Sequence, residues 1–524
     1  MKIKTVMMIV MAMVIAAATV YGDETGQAPP VPSQEQPEVL TQGPVNEAFA
    51  QPVNLEDQAG LTAPTAPPAD IEEVPPPERP AGEQFSWVPG YWAWDSDRNG
   101  YIWVSGCWRA VPPGMSWVPG YWSQSASGWQ WVAGFWVPAG DKEIEYLPAP
   151  PALADIDPPG PAPSPDQIWV PPCWYWHQGQ YIQRRGYWIA AQADWVWVPS
   201  HFVWTPRGYV FANGHWDYAL GRRGVLFAPV YFPRRVYAHP GFSYALSITV
   251  DMGNLAFGLF TRPQYSHYYF GDYYDNSYIG IGIFPWYECE QRRTWYDPIY
   301  VHDRWRHRRD EPRWEQHERQ EYERRRNDKA LRPPRTYREM QSRVSKMSAS
   351  QRRNFAFAAP LNRVVAGKAA PFKFEKIKPA ARQQLSRHTS DVHKYVQERG
   401  RWESKAAGHI TGRPPVEHLP SAERRAATPP AKRKGQQAGP SKNMGSAPAQ
   451  PARRNEAPAG VRERSTTSPG QQRPTRISPR EGEQRQSDRV RVRTPPVVGN
   501  QSGGSFRKGT PSRPDEEQRD IKQR

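Results

Sequence analysis

Five histidines, His177, His201, His215, His239 and His267, are candidates to bind a metal or move a proton. No two are spaced i, i+3 or i, i+4, and no cysteine cluster lies beside them. His201 and His215 occupy the same position in two copies of a repeated motif. Two ligands fall short of the three or four that a zinc site needs, so neither a metal nor a cofactor is expected. The chain has no Gly-rich phosphate loop, no G-x-S-x-G turn and no carboxylate pair at catalytic spacing, which argues against an enzyme. Of three cysteines, Cys107 and Cys173 share one motif position and are candidates for a disulfide between two repeat blocks. Cys289 is left over. Arg184 and Arg185, in "YIQRRGYW", stand where other copies carry apolar residues and proline. They are either a contact point for an anion or the charge that guards an edge strand.

These residues sit on an aromatic repeat. Of 23 tryptophans, 18 fall between Trp87 and Trp216, the one region with enough apolar surface for a core. "WVPGYW" at 87 is followed by "WVSGCW" at 103, "WVPGYW" at 117 and "WVAGFW" at 131. After a proline-rich gap come "WVPPCW" at 169, "QRRGYW" at 183, "WVPSHF" at 197, "FANGHW" at 211 and "FAPVYF" at 227. Proline and non-proline alternate at the third position through all nine copies, so the structural unit is a pair.

Runs of Trp, Tyr, Phe and Val separated by turn signals such as "DSDRNG" predict that each pair is a β-hairpin. Trp87 and Trp92 lie five apart, which places them on opposite faces of a regular strand. A β-bulge at the Pro-Gly step would bring them to one face. The alternative makes Pro-Gly itself the turn, with twice as many strands of half the length. The second motif position is mostly valine, so both faces are apolar. The expected fold is therefore mainly β, an antiparallel meander of hairpins closed as a sandwich or barrel, followed by charged helices and long disordered tails. The tryptophans are read as core, because so many exposed rings invite aggregation. The rival is a row of exposed rings stacking on sugars.

The motif resembles the WXXGXW (YXWGXW) tryptophan-rich repeat family of exported bacterial proteins. The resemblance rests on Trp87, Gly90, Trp92, Trp103, Gly106, Trp108, Trp117, Gly120, Trp122, Trp131, Gly134 and Trp136 and covers roughly residues 85–232. Gly186 and Gly214 keep the glycine, whereas the copies at 169, 197 and 227 have lost it. The resemblance implies an envelope location and no catalytic activity.

Composition divides the remainder. Residues 1–22, with Lys2 and Lys4 before an apolar run, read as a signal peptide. With that segment removed, no stretch is apolar enough to span a membrane. An acidic Pro-rich arm, expected to be disordered, covers 23–84, and 23–80 holds eleven acids against Arg79 alone. Repeat block 1 spans 85–137, a Pro-rich linker 138–166, and repeat block 2 167–232. A Tyr-rich β extension spans 233–300, with strands around Met252-Gly253-Asn254, a loop in "YSHYYFGDYYD" and a strand at "YIGIGIF". A charged helical region spans 301–404, with a solvated or partner-binding helix at 303–331 and a second helix near 379–400 carrying Leu385, Val392 and Val396. The tail 405–524 carries 25 basic against 11 acidic residues, within a net charge of +16. An exported scaffold or adhesion protein is expected, its tail meeting anionic envelope polymers, with self-association as a further option. The alternatives are a carbohydrate-binding module using exposed tryptophans and a nucleic-acid or other polyanion binder.

Overall fold

Each motif pair folds into one antiparallel hairpin. In the first, Phe85–Val88 and Tyr91–Asp95 run out, and Gly100–Val104 and Cys107–Ala110 run back. Hairpins of the same build occupy 115–138, 167–190 and 195–218. The computed structural model describes residues 36–405 and 416–419, apart from 56–59, 155, 257, 353–354 and 368–369. All of them belong to one unit, Met1–Gly435. Residues 1–22, read from sequence as a signal peptide, the start of the arm and almost all of the tail lie outside the described residues.

The Pro-Gly step is neither turn nor bulge. In the first hairpin Val88 faces Cys107 and Tyr91 faces Val104, so two residues are skipped on each strand and the register is unchanged. With no bulge inserted, Trp87 and Trp92 keep opposite faces and enter different core clusters. Trp87 packs with Trp108, Phe227 and Leu385, and Trp92 with Trp103, Ile71 and Phe232.

The hairpins do not join into one meander, and among the described residues there is no closed barrel and no sheet of more than four strands. The ninth copy closes the repeat region back on its beginning. Leu226, just before it, faces Cys107, and its Val230 faces Trp103, so the last copy belongs with the first hairpin and not with block 2.

The acidic arm is where the expectation fails most clearly. From 36 to 84 its described residues are a stitch of two- and three-residue strands, each paired with a distant element. Gly43–Pro44 pairs with Tyr269 and Phe270, Val53–Asn54 with Trp295 and Tyr296, and Thr62–Ala63 with Trp129 and Gln130. Glu72–Val74 runs parallel to Ser243–Ala245, and Glu78–Pro80 pairs with Phe374–Lys376. Apolar residues in the arm, among them Val45, Phe49 and Ile71, are buried and anchor it. The linker is likewise tied down, through strand Glu143–Glu145 and buried Tyr146 and Leu147.

Residues 233–300 also depart from expectation. Met252–Ala256 is a short helix where a turn was expected, and Asn276–Gly280 is a helix where a strand was. The expected tyrosine loop contains strand His267–Phe270, wholly buried and paired with Leu259–Arg262. The charged helical segment is two helices, Pro298–Asp310 and Trp314–Asn327, parted by Pro312, which cannot continue the hydrogen-bond ladder. The second buries Trp314 and Tyr322, so it is a packed helix despite its charge. Helix Pro379–Ser404 buries Leu385 and Val392 as its spacing predicted. No helix among the described residues is long and apolar enough to cross a membrane.

Candidate functional site

A two-residue gap in each strand of a ladder frees two N–H groups and two carbonyls in the interior. Buried main-chain groups of this kind need partners. In the first hairpin a single carboxylate takes both N–H groups. Glu73, fully buried, accepts from Gly90 N at 2.9 Å, Gly106 N at 2.9 Å and the Trp103 indole Nε1 at 2.7 Å. The carbonyls turn the other way, where Asn46 Nδ2 donates to Ser105 O at 3.2 Å and Pro89 O at 3.5 Å.

The second hairpin repeats the device. Glu47 accepts from Gly120 N at 3.2 Å, Gly134 N at 2.9 Å and Trp131 Nε1 at 3.3 Å. Gln51 and Arg399 donate to the Gly134 and Pro119 carbonyls at 3.0 and 2.8 Å. Two motifs in hairpin register therefore make a carboxylate clamp from two glycine amides and the opening tryptophan of the second motif.

The clamp accounts for the motif residues. A Cβ on Gly90 would stand 2.4 Å from Val104 O and 2.8 Å from Glu73 Oε1, and one on Gly106 2.5 Å from the Trp87 ring. The proline at the third position lacks an N–H and lies where the ladder needs none. The degenerate copies lose the clamp donor by donor. In the third hairpin Pro172 replaces the first glycine and Gln183 the tryptophan. In the fourth, Phe211 replaces the tryptophan, and Ser200 stands at the first glycine position, where its Oγ accepts from Gly214 N at 2.9 Å. That hydroxyl takes the place of the carboxylate.

Burial raises the Glu73 pKa against the opposing pull of the Trp103 indole, the two amides and His393. Burial likewise pushes Glu47 up to about 8, opposed by the Gly134 amide, the Trp131 indole, the Gly120 amide and Arg399. His393 and Arg399 both come from helix Pro379–Ser404, which lies against the gap carbonyls of both clamps, Gly90 O and Pro119 O.

A second buried polar cluster joins the first hairpin to the fourth. Arg109 Nη2 lies 2.5 Å from Asp217 Oδ1, and Arg223 Nη2 lies 2.9 Å from Asp217 Oδ2. Arg109 Nε and Arg223 Nη1 donate to Ala48 O and Phe49 O of the arm. Burial pushes the Asp217 carboxyl up, but the two guanidiniums outweigh it and hold the pKa below the ordinary value.

The residues nominated from sequence divide accordingly. Trp87, Trp92, Trp103, Trp108, Trp117, Trp131 and Trp136 are buried, while Trp122 is half-buried and donates to Trp92 O at 2.7 Å. Block 2 differs, since its tryptophans from Trp169 to Trp216 are all half-buried. Cys107 and Cys173 do not pair. All three thiols are free and buried, Cys107 facing Val88 and Leu226 in the first hairpin and Cys173 facing Arg184 in the third. Arg185 is exposed. Arg184 donates to Tyr175 Oη at 3.2 Å and lies over the Tyr187 ring, on a strand whose one partner is Cys173–His177. It therefore lies on an edge strand.

His201 and His215 are not brought into a ligand set, and burial lowers both pKa values, that of His201 to about 4. Among the described residues no three His, Cys, Asp or Glu side chains are grouped to hold a metal. Sequence reading missed Glu47 and Glu73, although each has apolar residues beside it in "VNEAFA" and "IEEV". No protein-family model, curated protein or solved structure matches the chain.

Proposed function

We propose that this chain is an exported, non-enzymatic scaffold or adhesion protein of the bacterial envelope, whose basic tail contacts anionic polymers. One observation carries the reading: the two best-preserved motif pairs are closed on the chain's own carboxylates. Their glycines, tryptophans and acids are spent on holding the arm and the helix Pro379–Ser404 to the hairpins, which is the work of a rigid support. The signal-like start, the family resemblance of the motif and the charge of 405–524 support the location and the partner.

Fractionation of cells, with recovery of envelope material on the chain with and without 405–524, tests this. The full chain should sediment with the envelope and retain anionic polymer at about 50 mM salt, losing it by orders of magnitude near 200 mM as counterions compete. The shortened chain should retain little. A cytoplasmic chain, or equal retention by both forms, would overturn it. A second reading, sugar binding by tryptophans, is favoured by the half-buried rings of block 2, which contrast with the mostly buried rings of block 1.

A further inference from the structure

The last described strand, Val416–His418, pairs antiparallel with the linker strand Glu143–Glu145, and Leu419 N donates to Lys142 O at 2.6 Å. Leu419 is buried with Ile144, Tyr146, Val203 and Val210. Residues 420–524, the bulk of the basic tail, follow directly in the sequence, so this short strand fixes the root of the tail to the body.

The contacts beneath the strand need one proton more than their tyrosine supplies. Tyr146, fully buried, sets its hydroxyl 2.7 Å from Glu403 Oε1 and 2.8 Å from Glu417 Oε2. Burial holds the phenol well above its ordinary pKa, so it keeps its single proton. That proton can go to one carboxylate only. Oxygens this close need a hydrogen between them, so the other contact takes its proton from a carboxyl. Glu403 is not the holder. It is fully buried beside Arg399, whose Nε donates to Oε1 at 2.7 Å, and its Oε2 accepts from the Tyr121 hydroxyl. Glu417, half-buried, makes no ion pair among the described residues. Tyr146 therefore donates to Glu403, and a neutral Glu417 donates to Tyr146 Oη.

The surrounding charges agree with this placement. Burial pushes the Glu417 pKa above the ordinary 4.5, and Glu403 adds to the rise against the pull of Arg399 and Arg207. Arg207 lies over the Trp402 ring at 3.5 Å, and Tyr121 and Tyr395 stand beside Arg399. On the partner strand Glu143 and Glu145 are exposed, and His418 Nδ1 lies 3.3 Å from Glu143 Oε1.

We propose that Val416–Leu419 is a proton-held latch on the root of the tail, closed while Glu417 is neutral and donates to Tyr146, and opened when Glu417 ionises. Ionisation sets two carboxylates against one phenol, and the strand at the surface is the part that can move away. The latched chain binds the proton more tightly than the released one, so closure is full below the ordinary 4.5 and is lost as pH rises through the raised value. Release would start the free tail at Lys405 instead of beyond Leu419, about fifteen residues earlier and roughly 50 Å of extended chain.

Hydrogen exchange of the full chain between about pH 4 and 9, read as protection relative to the unfolded chain at each pH, tests this. Amides of 143–145 and 416–419 should be protected at the acid end and lose up to about tenfold per pH unit once Glu417 ionises. The second hairpin's Tyr121–Ser125 and Gly128–Val132 should keep their protection, which separates latch opening from unfolding of the body. Glu417→Gln, whose amide donates to Tyr146 as the neutral acid does, should stay protected at every pH. Glu417→Ala should be open throughout. His418→Ala should open as the parent chain does, because its exposed contact with Glu143 contributes little. Uniform protection of the parent chain, a fall that persists in Glu417→Gln, or a fall abolished by His418→Ala would overturn the latch. Equal loss in the second hairpin would overturn it too, since the whole body would then be opening.

Discussion

Removing the Glu73 side chain tests the clamp directly. Glu73→Ala strands three buried donors, Gly90 N, Gly106 N and Trp103 Nε1. Each orphaned donor costs about 1–3 kcal/mol. Against this stands relief from holding a carboxyl in the interior, a cost of several kcal/mol per ion. The net expectation is a loss of about 3–5 kcal/mol, the usual result of removing one partner from a buried polar set. Glu73→Gln is nearly the same shape. Its oxygen can keep Gly106 and Trp103, but its amide meets Gly90 N–H donor to donor, so the loss should be smaller, about 1–3 kcal/mol. Glu72 is the natural control, adjacent and exposed, and its change to Ala should stay within about 0.5 kcal/mol. Urea unfolding followed by tryptophan emission reads all three, since Trp103 lies in the clamp. If Glu73→Ala unfolds within about 0.5 kcal/mol of the parent chain, the clamp contributes no stability and the explanation of the motif glycines fails with it.

The Glu47 clamp sets a pH dependence. A raised pKa means the folded chain holds the proton more tightly, so this stabilisation is full below the ordinary 4.5 and is lost as pH rises through about 8. The slope is at most about 1.4 kcal/mol per pH unit, and Glu47→Gln should remove it from urea midpoints measured across that window. Asp217→Ala leaves Arg109 and Arg223 buried without their counter-charge and should cost about 3–5 kcal/mol by urea unfolding. A loss below about 1 kcal/mol would mean that the arm carbonyls alone support the pair.

The hairpins were legible because strand pairing here is local. Trp92 meets Trp103 across a short turn, and alternating aromatic residues announce both strands. The ladder gaps were not legible because their partners are remote, Glu47 lying 87 residues before Gly134. Read without its partners, an acid in a proline-rich segment looks solvated, and the arm looked disordered for that reason. The same blindness affected 259–270, where remote elements bury Tyr268, against Val45 of the arm and Asp297 at a helix start, and His267, against Tyr91 and Trp131 of the hairpins, and no pattern of their own does so. Arg109 was equally hidden, because its counter-ion Asp217 lies 108 residues away on another hairpin.

The degenerate copies follow from the same argument and carry a prediction of their own. Changing a degenerate repeat toward its consensus commonly stabilises by about 0.5–2 kcal/mol. In the fourth hairpin the opposite should hold. Restoring the motif there means Ser200→Gly with Phe211→Trp, which rebuilds every donor of the clamp while no glutamate enters that hairpin. Gly214 N loses the Ser200 Oγ that accepts from it at 2.9 Å, and the Tyr175 hydroxyl loses its acceptor at 3.3 Å. A new indole N–H is added with nothing to receive it. Because this hairpin is half-buried, water offsets part of the loss, and about 1 kcal/mol of destabilisation is expected. Thermal and urea midpoints of the double variant against the parent chain decide the matter. A rise in stability would mean that the motif is self-sufficient and that Glu47 and Glu73 are incidental to the copies they occupy. A fall would mean that each copy's sequence is matched to whether a carboxylate arrives.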